Sequence, residues 1–405
     1  MAQGVVVVGG SLAGLRAAET LRAEGFEGRI SFVGAEERLP YDRPPLSKKV
    51  LSGEWEPERI ALRKHGDVDS LELDLRLGIR AEALDLAARS VALSDGSAVT
   101  FDGLVIATGA SVRRLPGQAD LEGIFVLRTL DESLALRAAL TTGSPRVVVV
   151  GAGFIGAEVA ATARGLGCQV TIVEALPVPL VRGLGPRMGA ACGELHRDHG
   201  VTLLLNVGVS ALEGSRRVER VRLTDERVLE ADVVVVGIGV APATTWLEGS
   251  GLELRDGVVC DAMLAAGPPG VFAAGDLCRW PNELFGEEMR VEHWTNAAEQ
   301  GAHAARNLLA AMAGDAGQPY APVPFFWSDQ YGQRIQFLGR AGPDDEIRVV
   351  SGSVEERAFV ALYGDGARLR GVLGLSRPKL VMGYQKLLAS RITWEAALAH
   401  AAGAG

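Results

Sequence analysis

Residues 147–156 read VVVVGAGFIG, in which four valines run directly into the pattern GxGxxG. A short, continuously apolar run is typical of a buried strand in a parallel sheet. Gly151 permits the tight turn that follows, Gly153 lets the backbone approach a pyrophosphate, and Gly156 allows the next helix to pack closely on the strand. Because the N-terminus of that helix also attracts negative charge, the stretch predicts a dinucleotide-binding βαβ unit.

An acidic residue strengthens this prediction. Residues 170–173, VTIV, form the second apolar run of the unit, and Glu174 follows it directly. A carboxylate at this place accepts hydrogen bonds from the ribose hydroxyl groups of an adenosine but repels a 2′-phosphate, so NADH is expected in preference to NADPH. The alternative is a tight turn and a surface glutamate that bind no ligand.

A second copy of the pattern opens the chain. Residues 5–14 read VVVVGGSLAG, with Gly9 and Gly14 at the outer positions and Ser11 in place of the middle glycine. Serine is small, so we interpret it as a tolerated departure that still lets the backbone approach a phosphate. The alternative for this copy is a structural turn without a ligand. The acid after its second strand is Glu36 or Glu37, and Glu36 is preferred because it lies nearer the strand end.

Three later apolar runs are expected to complete the two sheets. They are residues 104–107, followed by Thr108 and Gly109; residues 233–236, followed by Gly239; and residues 271–274, followed by Gly275 and Asp276. From Pro319 onward, prolines and short alternating segments replace this pattern. The order predicts a first unit that is interrupted by the second and then resumed, with a C-terminal α+β domain after it.

Composition narrows the class of protein. The chain has 405 residues and 51 glycines, which cluster after apolar runs as nucleotide loops require. Its net charge of −9 argues against a nucleic-acid-binding protein. We find no signal peptide and no apolar run long enough for a membrane span, so we expect a cytoplasmic protein that binds no membrane.

Cysteine and histidine offer no metal site. The four cysteines form no CxxC pair, which argues against a disulfide framework, a zinc site and a cysteine-ligated cluster. The six histidines form no cluster with metal-ligand spacing, and His196 and His199 are expected on a solvated helix face. Two dinucleotide sites in one chain instead suggest hydride transfer between a nicotinamide and a flavin, where the cofactors carry the chemistry.

Seven short motifs resemble one family over nearly the whole chain. They are residues 40–48 (PYDRPPLSK), 107–109 (ATG), 127–129 (LRT), 151–158 (GAGFIGAE), 274–276 (AGD), 292–294 (EHW) and 327–330 (WSDQ). Together they resemble the FAD-dependent, NADH-linked ferredoxin reductases of the putidaredoxin reductase and biphenyl-dioxygenase reductase type. Such enzymes serve haem-thiolate monooxygenases and Rieske-type ring-hydroxylating dioxygenases.

The resemblance implies an α/β, glutathione-reductase-like fold with two Rossmann-like dinucleotide-binding domains and a C-terminal α+β domain. The expected domains are a discontinuous FAD-binding domain (1–113 and 241–321), an NAD-binding domain (114–240) and an interface domain (322–405).

The resemblance also implies roles for individual residues. Lys48 and Glu158 are the expected catalytic pair, with Lys48 close to the flavin, and Arg43 and Pro44 are expected to contact FAD. The further residues expected to bind FAD or NAD are Gly9, Ser11, Gly14, Glu36, Thr108, Gly109, Arg128, Gly151, Gly153, Gly156, Glu174, Gly239, Gly275, Asp276, Glu292, Trp294 and Trp327.

The absence of cysteine from one loop selects among relatives of this fold. Thiol-disulfide reductases place a cysteine pair against the flavin, and related peroxidases and oxidases place a single cysteine there. The corresponding residues 42–46 read DRPPL, so thiol and peroxide chemistry are excluded.

The predicted function is therefore an NADH-dependent ferredoxin reductase, which moves a hydride from NADH to FAD and single electrons to a small [2Fe-2S] ferredoxin. The alternatives are a reductase of rubredoxin or another carrier, and a redox-sensing, NADH-binding flavoprotein. Because ferredoxins of this type are usually acidic, docking near the C-terminal domain is expected on residues 366–391, which contain six basic residues and no acid. The alternative is a solvated basic face that balances acidic residues elsewhere in the chain.

Overall fold

The computed structural model describes residues 4–117 and 120–403, and it divides into two compact units. Unit 1 comprises Met1–Asp42, Ile60–Ser111 and Ala241–Pro324, and unit 2 comprises Arg43–Arg59, Val112–Val240 and Phe325–Gly405. None of the helices within the described ranges combines the length and the apolar character needed to cross a membrane.

The strands, in chain order, are β1 Gly4–Val8, β2 Arg29–Gly34, β3 Leu73–Leu77, β4 Ala81–Asp85, β5 Ser90–Leu93, β6 Ala98–Thr100, β7 Gly103–Ile106, β8 Ala110–Val112, β9 Ile124–Phe125, β10 Arg146–Val150, β11 Gln169–Val173, β12 Thr202–Leu204, β13 Val209–Glu213, β14 Arg220–Leu223, β15 Val228–Glu230, β16 Val233–Val236, β17 Val240–Pro242, β18 Val258–Val259, β19 Val271–Ala273, β20 Cys278–Asn282, β21 Glu287–Met289, β22 Phe325–Gln330, β23 Gln333–Gly339, β24 Glu346–Ser353, β25 Ala358–Gly364 and β26 Leu369–Leu375.

The α-helices are α1 Leu12–Ala23, α2 His65–Asp69, α3 Leu130–Leu140, α4 Phe154–Gly165, α5 Val181–Asp198, α6 Trp294–Ala313, α7 Pro378–Gly383, α8 Gln385–Ala389 and α9 Trp394–Gly403. Short 3-10 helices cover Pro44–Ser47, Pro57–Ile60 and Thr245–Leu247.

Unit 1 is built on a five-stranded parallel sheet with the order β19-β7-β1-β2-β3. All five residues of β1 are buried, as a strand covered on both faces requires. Helices α1 and α6 pack so closely that a Cβ at Gly301 would lie 2.2 Å from the carbonyl oxygen of Ala13. Three-stranded sheets β4-β5-β6 and β18-β20-β21 complete this unit.

Unit 2 repeats the parallel arrangement with the order β12-β11-β10-β16-β9, and the antiparallel sheet β13-β14-β15 packs into the same core. Helix α3 lies between β9 and β10 of this repeat and begins with a capping box, in which Thr129 and Glu132 exchange side-chain and backbone hydrogen bonds. The two parallel sheets place the carboxyl ends of β1 and β10 directly before glycine loops, which is where such sheets bind ligands.

The C-terminal part of unit 2 is an antiparallel five-stranded sheet with the order β22-β23-β26-β25-β24. Its core includes residues of α5, and the Tyr363 hydroxyl donates to the Leu184 carbonyl over 2.8 Å. With two parallel dinucleotide-type sheets and this C-terminal sheet, the predicted fold class is confirmed.

The expectation that His196 and His199 lie on a solvated helix face is right for His199, which is exposed, and wrong for His196. His196 is 1% exposed, its Nδ1 lies 2.7 Å from the Tyr331 hydroxyl, and His199 stacks on the same ring at 4.0 Å. Burial lowers the pKa of His196 to about 4, so its ring is neutral near pH 7. The sequence offered no sign of this because Tyr331 lies 135 residues away in the hairpin β22–β23.

The compact units divide the chain differently from the three predicted domains. Residues Arg43–Arg59 cluster with unit 2, although the predicted FAD-binding domain contains them, and residues 112–240 and 325–403 form one compact unit. Residues 1–3, 118–119 and 404–405 of the predicted domains lie outside the described residues.

Candidate dinucleotide and redox sites

Packing within the protein requires glycine at both outer positions of the loop in unit 1. Gly9 has φ of +137°, and a Cβ there would lie 2.1 Å from the carbonyl oxygen of Ala107. A Cβ at Gly14 would lie 2.0 Å from the carbonyl oxygen of Gly9. Ser11 takes extended backbone angles as the N-cap of α1, so the helix starts at the loop and directs its first N–H groups there.

The loop of unit 2 has the same construction at its outer positions. Gly151 has φ of +102°, and a Cβ there would lie 2.5 Å from the carbonyl oxygen of Gly237, while one at Gly156 would lie 2.1 Å from that of Gly151. Gly153 is different, because a Cβ there would meet no protein atom within 4 Å. Gly153 caps α4, so this open space lies at a helix N-terminus and fits a pyrophosphate.

Glu174 reaches back to the glycine loop that it follows. Its Oε2 accepts from the Ala152 N–H over 2.7 Å, and its Oε1 accepts from the Leu176 N–H over 2.8 Å. A carboxylate has about four acceptor positions, so both oxygens can still accept from ribose hydroxyl groups. The half-buried carboxylate thus shapes the loop and stays available at the site where the resemblance implies an adenosine.

The acid of unit 1 stands two residues later in its loop. Gly34 occupies the place of Glu174, since Gly9 N–H bonds Val33 as Gly151 N–H bonds Val173. A Cβ at Gly34 would lie 3.2 Å from the Gly10 Cα, which leaves little room for a side chain.

Of the two candidate acids that follow, Glu36 is half-buried and accepts from the Tyr41 hydroxyl over 2.5 Å. Glu37 is exposed, and its Cγ covers Gly78. The burial and the ordering by Tyr41 favour Glu36 as the ribose acid.

Strand ends in unit 1 bring further predicted residues together. Thr108 donates through Oγ1 to the Ala243 carbonyl over 2.8 Å, and Gly109 adopts φ of +68°. The Gly275 N–H donates to Gln300 Oε1 over 2.8 Å. The Thr108 hydroxyl therefore bonds within the protein. Thr108 has a structural role at the strand end in addition to its position beside the loop.

Arg290, which the sequence did not single out, organises two predicted residues. Its Nη1 donates to the Asp276 carbonyl oxygen over 2.8 Å and to Glu292 Oε1 over 2.7 Å. Glu292 is therefore an exposed partner of Arg290 in this structure. The signal in the sequence that points to Arg290 is its place two residues before the EHW motif.

Trp294 begins α6, and its indole Nε1–H donates to Asp42 Oδ1 over 2.6 Å. The resemblance placed this ring against the flavin, and the structure adds that its polar edge is fixed on Asp42. Asp42 lies inside the quoted motif of residues 40–48, yet sequence reasoning gave it no role.

A short 3-10 helix in unit 2, Pro44–Ser47, delivers Lys48. Pro44 stands at its first position, where a fixed φ and a missing N–H are tolerated. Side chains from α3 and α4 hold its carbonyl groups: Ser133 donates to Leu46 over 2.7 Å, and Thr162 donates to Ser47 over 2.8 Å.

Arg43, just before this helix, donates to the Arg128 carbonyl oxygen over 2.5 Å. Arg128 in turn lies next to the capping box of α3, where its N–H donates to Glu132. The two arginines that the resemblance assigned to FAD are thus neighbours in the structure.

Lys48 and Glu158 form an ion pair within unit 2, as the resemblance implied. Lys48 Nζ lies 2.6 Å from Glu158 Oε2, and the Lys48 side chain is 15% exposed whereas Glu158 is 3% exposed. Ser47 also donates to Oε2 over 2.5 Å, and Ser328 donates to Oε1 over 2.6 Å. A buried carboxylate with this many donors is well compensated, and removing any partner is costly.

The remaining predicted residues are Gly239 and Trp327. Gly239 adopts φ of +99°, and a Cβ there would meet no protein atom within 4 Å, so it too borders open space. Trp327 is half-buried on β22, where its ring stacks on Phe325 at a centroid distance of 5.9 Å.

None of the four cysteines lies in the loop of residues 42–46. All four are buried and unbridged. Burial raises the pKa of Cys192 to about 12, and burial together with the neighbouring Cys260 thiol raises that of Cys278 well above its usual range. Neither thiol ionises near pH 7, which agrees with the exclusion of thiol chemistry.

Comparison with known proteins gives a consistent family. Residues 3–301 match the model of the pyridine nucleotide-disulphide oxidoreductases, and residues 325–403 match the reductase C-terminal model. The chain is 38% identical over 391 residues to rhodocoxin reductase of Rhodococcus erythropolis, covering 96% of this chain and 90% of that protein.

Two further relatives point the same way. The ferredoxin--NAD(+) reductase component of the biphenyl dioxygenase system of Paraburkholderia xenovorans is 41% identical over 360 residues, covering 88% of this chain and 86% of that protein. The covalent putidaredoxin reductase–putidaredoxin complex contains a chain that superposes with a TM-score of 0.91 at 33% identity, covering 96% of this chain and 93% of that chain. The motif resemblance is confirmed: this chain belongs to the pyridine nucleotide-disulphide oxidoreductase family and carries the reductase C-terminal domain.

Proposed function

We propose that the protein is an NADH-dependent ferredoxin reductase, which accepts a hydride from NADH on FAD and passes single electrons to a small [2Fe-2S] ferredoxin that supplies an oxygenase. The observation that carries the proposal is the combination of two dinucleotide loops with the buried Lys48–Glu158 pair and no cysteine in residues 42–46.

The residues present fit both dinucleotides. In unit 1, the loop between Gly9 and Gly14 opens α1 and would hold the pyrophosphate of FAD, with Glu36 on the adenosine ribose. In unit 2, the open space at Gly153 would admit the pyrophosphate of NADH, with Glu174 on its ribose. A carboxylate there disfavours the 2′-phosphate of NADPH, so we propose NADH as the preferred donor.

When bound, FAD supplies the step from two-electron to one-electron chemistry, because a flavin accepts a hydride and releases electrons singly. The residues of this chain contribute by positioning the cofactor and by balancing charge beside it. Lys48 carries a fixed ammonium group whose partner, Glu158, is buried, so the cation has one defined location. We propose that this ammonium interacts with the flavin ring and that Arg43 and Arg128 assist in binding FAD.

The two alternatives differ from this proposal in the electron acceptor. A reductase of rubredoxin or another carrier would use the same cofactor sites, and a redox-sensing flavoprotein would bind NADH without rapid turnover with any carrier. The proposal favours ferredoxin because ferredoxin reductase components of dioxygenase systems are among the relatives that match nearly the whole chain.

We propose that the ferredoxin docks on α7 and α8 of the C-terminal domain. Of the six basic residues in 366–391, Arg368 and Arg370 lie 3.7 Å from Asp365, which compensates their charge. Of the other four, Arg377 is half-buried and Arg391 is exposed beyond the end of α8, whereas Lys379 on α7 and Lys386 on α8 are exposed on the two helices themselves. We therefore narrow the docking surface to these two lysines and the residues beside them.

Two exposed apolar side chains share α7 with Lys379. Leu380 is 43% exposed and Met382 is 40% exposed, both on α7. Exposed apolar side chains on the same helix as an exposed lysine suit an acidic partner with an apolar contact patch, because charge steers the encounter and apolar burial stabilises the complex.

Turnover assays with purified protein test the function. The FAD-loaded protein, NADH and equal amounts of a [2Fe-2S] ferredoxin, a rubredoxin and ferricyanide are compared by carrier reduction. We expect ferredoxin to be reduced with a kcat/KM at least about tenfold above that of rubredoxin. Faster rubredoxin reduction would support the first alternative, and reduction of ferricyanide alone would support the second.

The docking surface is tested separately with Lys379→Glu and Lys386→Glu. We expect each to raise the KM for ferredoxin about fivefold or more, while NADH-to-ferricyanide activity stays unchanged. The matched control is Arg227→Glu, since Arg227 is an exposed arginine far along the chain from α7. If the control raises the KM equally, the effect reflects net charge and the docking assignment is wrong.

We further propose a cytoplasmic location, because the proposed donor, NADH, is generated there by metabolism. Fractionation of cells that express the protein, with NADH-dependent activity as the readout, tests this proposal.

A further inference from the structure

Glu158 has hydrogen-bond partners that its ion pair with Lys48 does not explain. Its two oxygens have separate partners: Oε2 receives Lys48 and Ser47, and Oε1 receives Ser328 over 2.6 Å. Ser328 is 0% exposed and lies 170 residues from Glu158 in the chain. The C-terminal sheet thus contributes a hydrogen bond to the carboxylate of the ion pair.

The direction of the Ser328 hydrogen bond follows from its second neighbour. Gln330 Nε2 lies 3.1 Å from Ser328 Oγ, and an amide nitrogen can only donate. Ser328 Oγ therefore accepts from Gln330, and its single hydroxyl hydrogen is left for Glu158 Oε1. With the opposite amide orientation, two acceptors would compete for one hydrogen, so the arrangement with Nε2 toward Ser328 satisfies more groups.

The strand that carries both residues is rigid. Ser328 and Gln330 are two residues apart on β22, so their side chains point to the same face of the sheet. All six residues of β22 are paired with β23, with Ser328 opposite Ile335 and Gln330 opposite Gln333. Both side chains are buried, which restricts their rotamers.

We propose that Ser328, oriented by Gln330, is a positioning residue that fixes the Glu158 carboxylate so that Oε2 stays directed at Lys48. Ser328 acts through Glu158 and not on a cofactor. The inference rests on the proposed function to the extent that Lys48 is placed at the flavin.

The physical reason is the softness of the carboxylate torsion. The terminal torsion of a glutamate has a broad energy minimum, so a carboxylate held at one oxygen can rotate. Ser328 bonds Oε1, the oxygen that Lys48 does not contact, and so prevents this rotation. Without its hydroxyl group, Glu158 keeps its charge partner but loses its fixed plane, and the Lys48 ammonium loses its single location.

The test is Ser328→Ala in the FAD-loaded protein, read in two ways. Stopped-flow spectra are expected to show flavin reduction by NADH slowed about tenfold, with the Kd for NADH unchanged, since one hydrogen bond to a charged group is lost. Acetic anhydride labelling, followed by mass spectrometry of the peptide that contains Lys48, is expected to show this lysine labelled several times faster. The labelling is also measured without NADH, so it does not depend on turnover.

Two further variants test whether both effects depend on the hydroxyl group of Ser328 and on its orientation. Ser328→Thr keeps a hydroxyl and should restore slow labelling and fast reduction. Because threonine adds a methyl group at a buried position, Gln330→Met is tested as well: it keeps Ser328 but removes the donor that orients it, and it should give an intermediate effect on both readouts.

The matched control is Ser31→Ala, since Ser31 is another fully buried serine that donates to a carboxylate, Asp74, over 2.9 Å. It should lower stability without changing Lys48 labelling or flavin reduction. If Ser328→Ala leaves Lys48 labelling at the wild-type rate, the positioning role is overturned. If labelling rises while Lys48→Ala leaves flavin reduction unchanged, the positioning role stands and the proposed place of Lys48 at the flavin fails.

Discussion

The two glycine loops, residues 9–14 and 151–156, require nearly the same close backbone packing at their outer glycines but differ at their middle position. At the first and third glycines of both loops, a Cβ would lie 2.0–2.5 Å from a backbone carbonyl oxygen. At the middle position one loop has Ser11 as a helix N-cap, and the other has Gly153 facing open space. The outer glycines are therefore required by the packing of the fold, whereas the packing leaves the middle position of the second loop open.

The acids extend the same comparison. Glu174 follows β11 directly and bonds its own glycine loop, whereas Glu36 comes two residues after β2 and is held by Tyr41. The reason is steric, because Gly34 lies against Gly10 and leaves little room for a side chain. The two loops, although similar in backbone, therefore hold their acidic residues in different ways.

The largest expected effect comes from breaking what the loops share. Gly14→Ala and Gly156→Ala each place a Cβ about 2 Å from a carbonyl oxygen that cannot move without opening the strand–helix turn. We expect each to cost about 3 kcal/mol or more in the free energy of unfolding, measured by chemical denaturation. A loss below about 1 kcal/mol in either variant would mean that the loop relaxes and that its outer glycines are not required for folding.

A smaller effect should come from the position where the loops differ. Gly153→Ala adds a Cβ into open space at an ordinary φ of −74°, so stability should change by less than about 1 kcal/mol. NADH binding should weaken about tenfold or more, because the methyl group occupies the space proposed for the pyrophosphate. Titration of the protein with NADH by fluorescence measures this. Unchanged NADH affinity would place the pyrophosphate elsewhere.

The acid of the second loop should control the choice of nucleotide. Glu174→Gln keeps an acceptor for the Ala152 N–H but removes the charge that repels a 2′-phosphate. We expect the ratio of kcat/KM for NADH over NADPH to fall about tenfold. Glu36→Gln, the matched change in the first loop, should leave this ratio alone. A ratio that moves equally in both variants would show that Glu174 has no specific role.

The smallest effect is expected at Ser11. If a serine is tolerated at the middle position, Ser11→Gly should change the Kd for FAD by no more than about threefold, measured by reconstitution of protein stripped of flavin. Ser11→Leu should prevent FAD retention, because a large side chain would fill the approach to α1. Tight FAD binding by Ser11→Leu would remove this loop from the FAD site.

The features that the sequence predicts correctly are local in the chain. Each βαβ unit shows its strand, loop and helix within about thirty residues, as periodicity and glycine spacing can reveal. The prediction for His196 is wrong because its burial depends on a hairpin from another part of the chain, and no role was predicted for Arg290, Asp42 or Ser328. A hydrogen bond between residues far apart in sequence has no periodic signal in a single chain.

The sequence by itself determined the two nucleotide loops, the acids that follow them and the missing cysteine of residues 42–46, because strand, turn and helix preferences act over neighbouring residues. The family resemblance implied that Lys48 and Glu158 pair, but only the tertiary structure decided which other groups hold this pair. Lys48, which is 110 residues from Glu158, and Ser328, which comes from the C-terminal sheet, both bond the buried Glu158 carboxylate. The physical reason is that a buried charge requires partners close to it, and packing in three dimensions brings those partners together from distant parts of the chain.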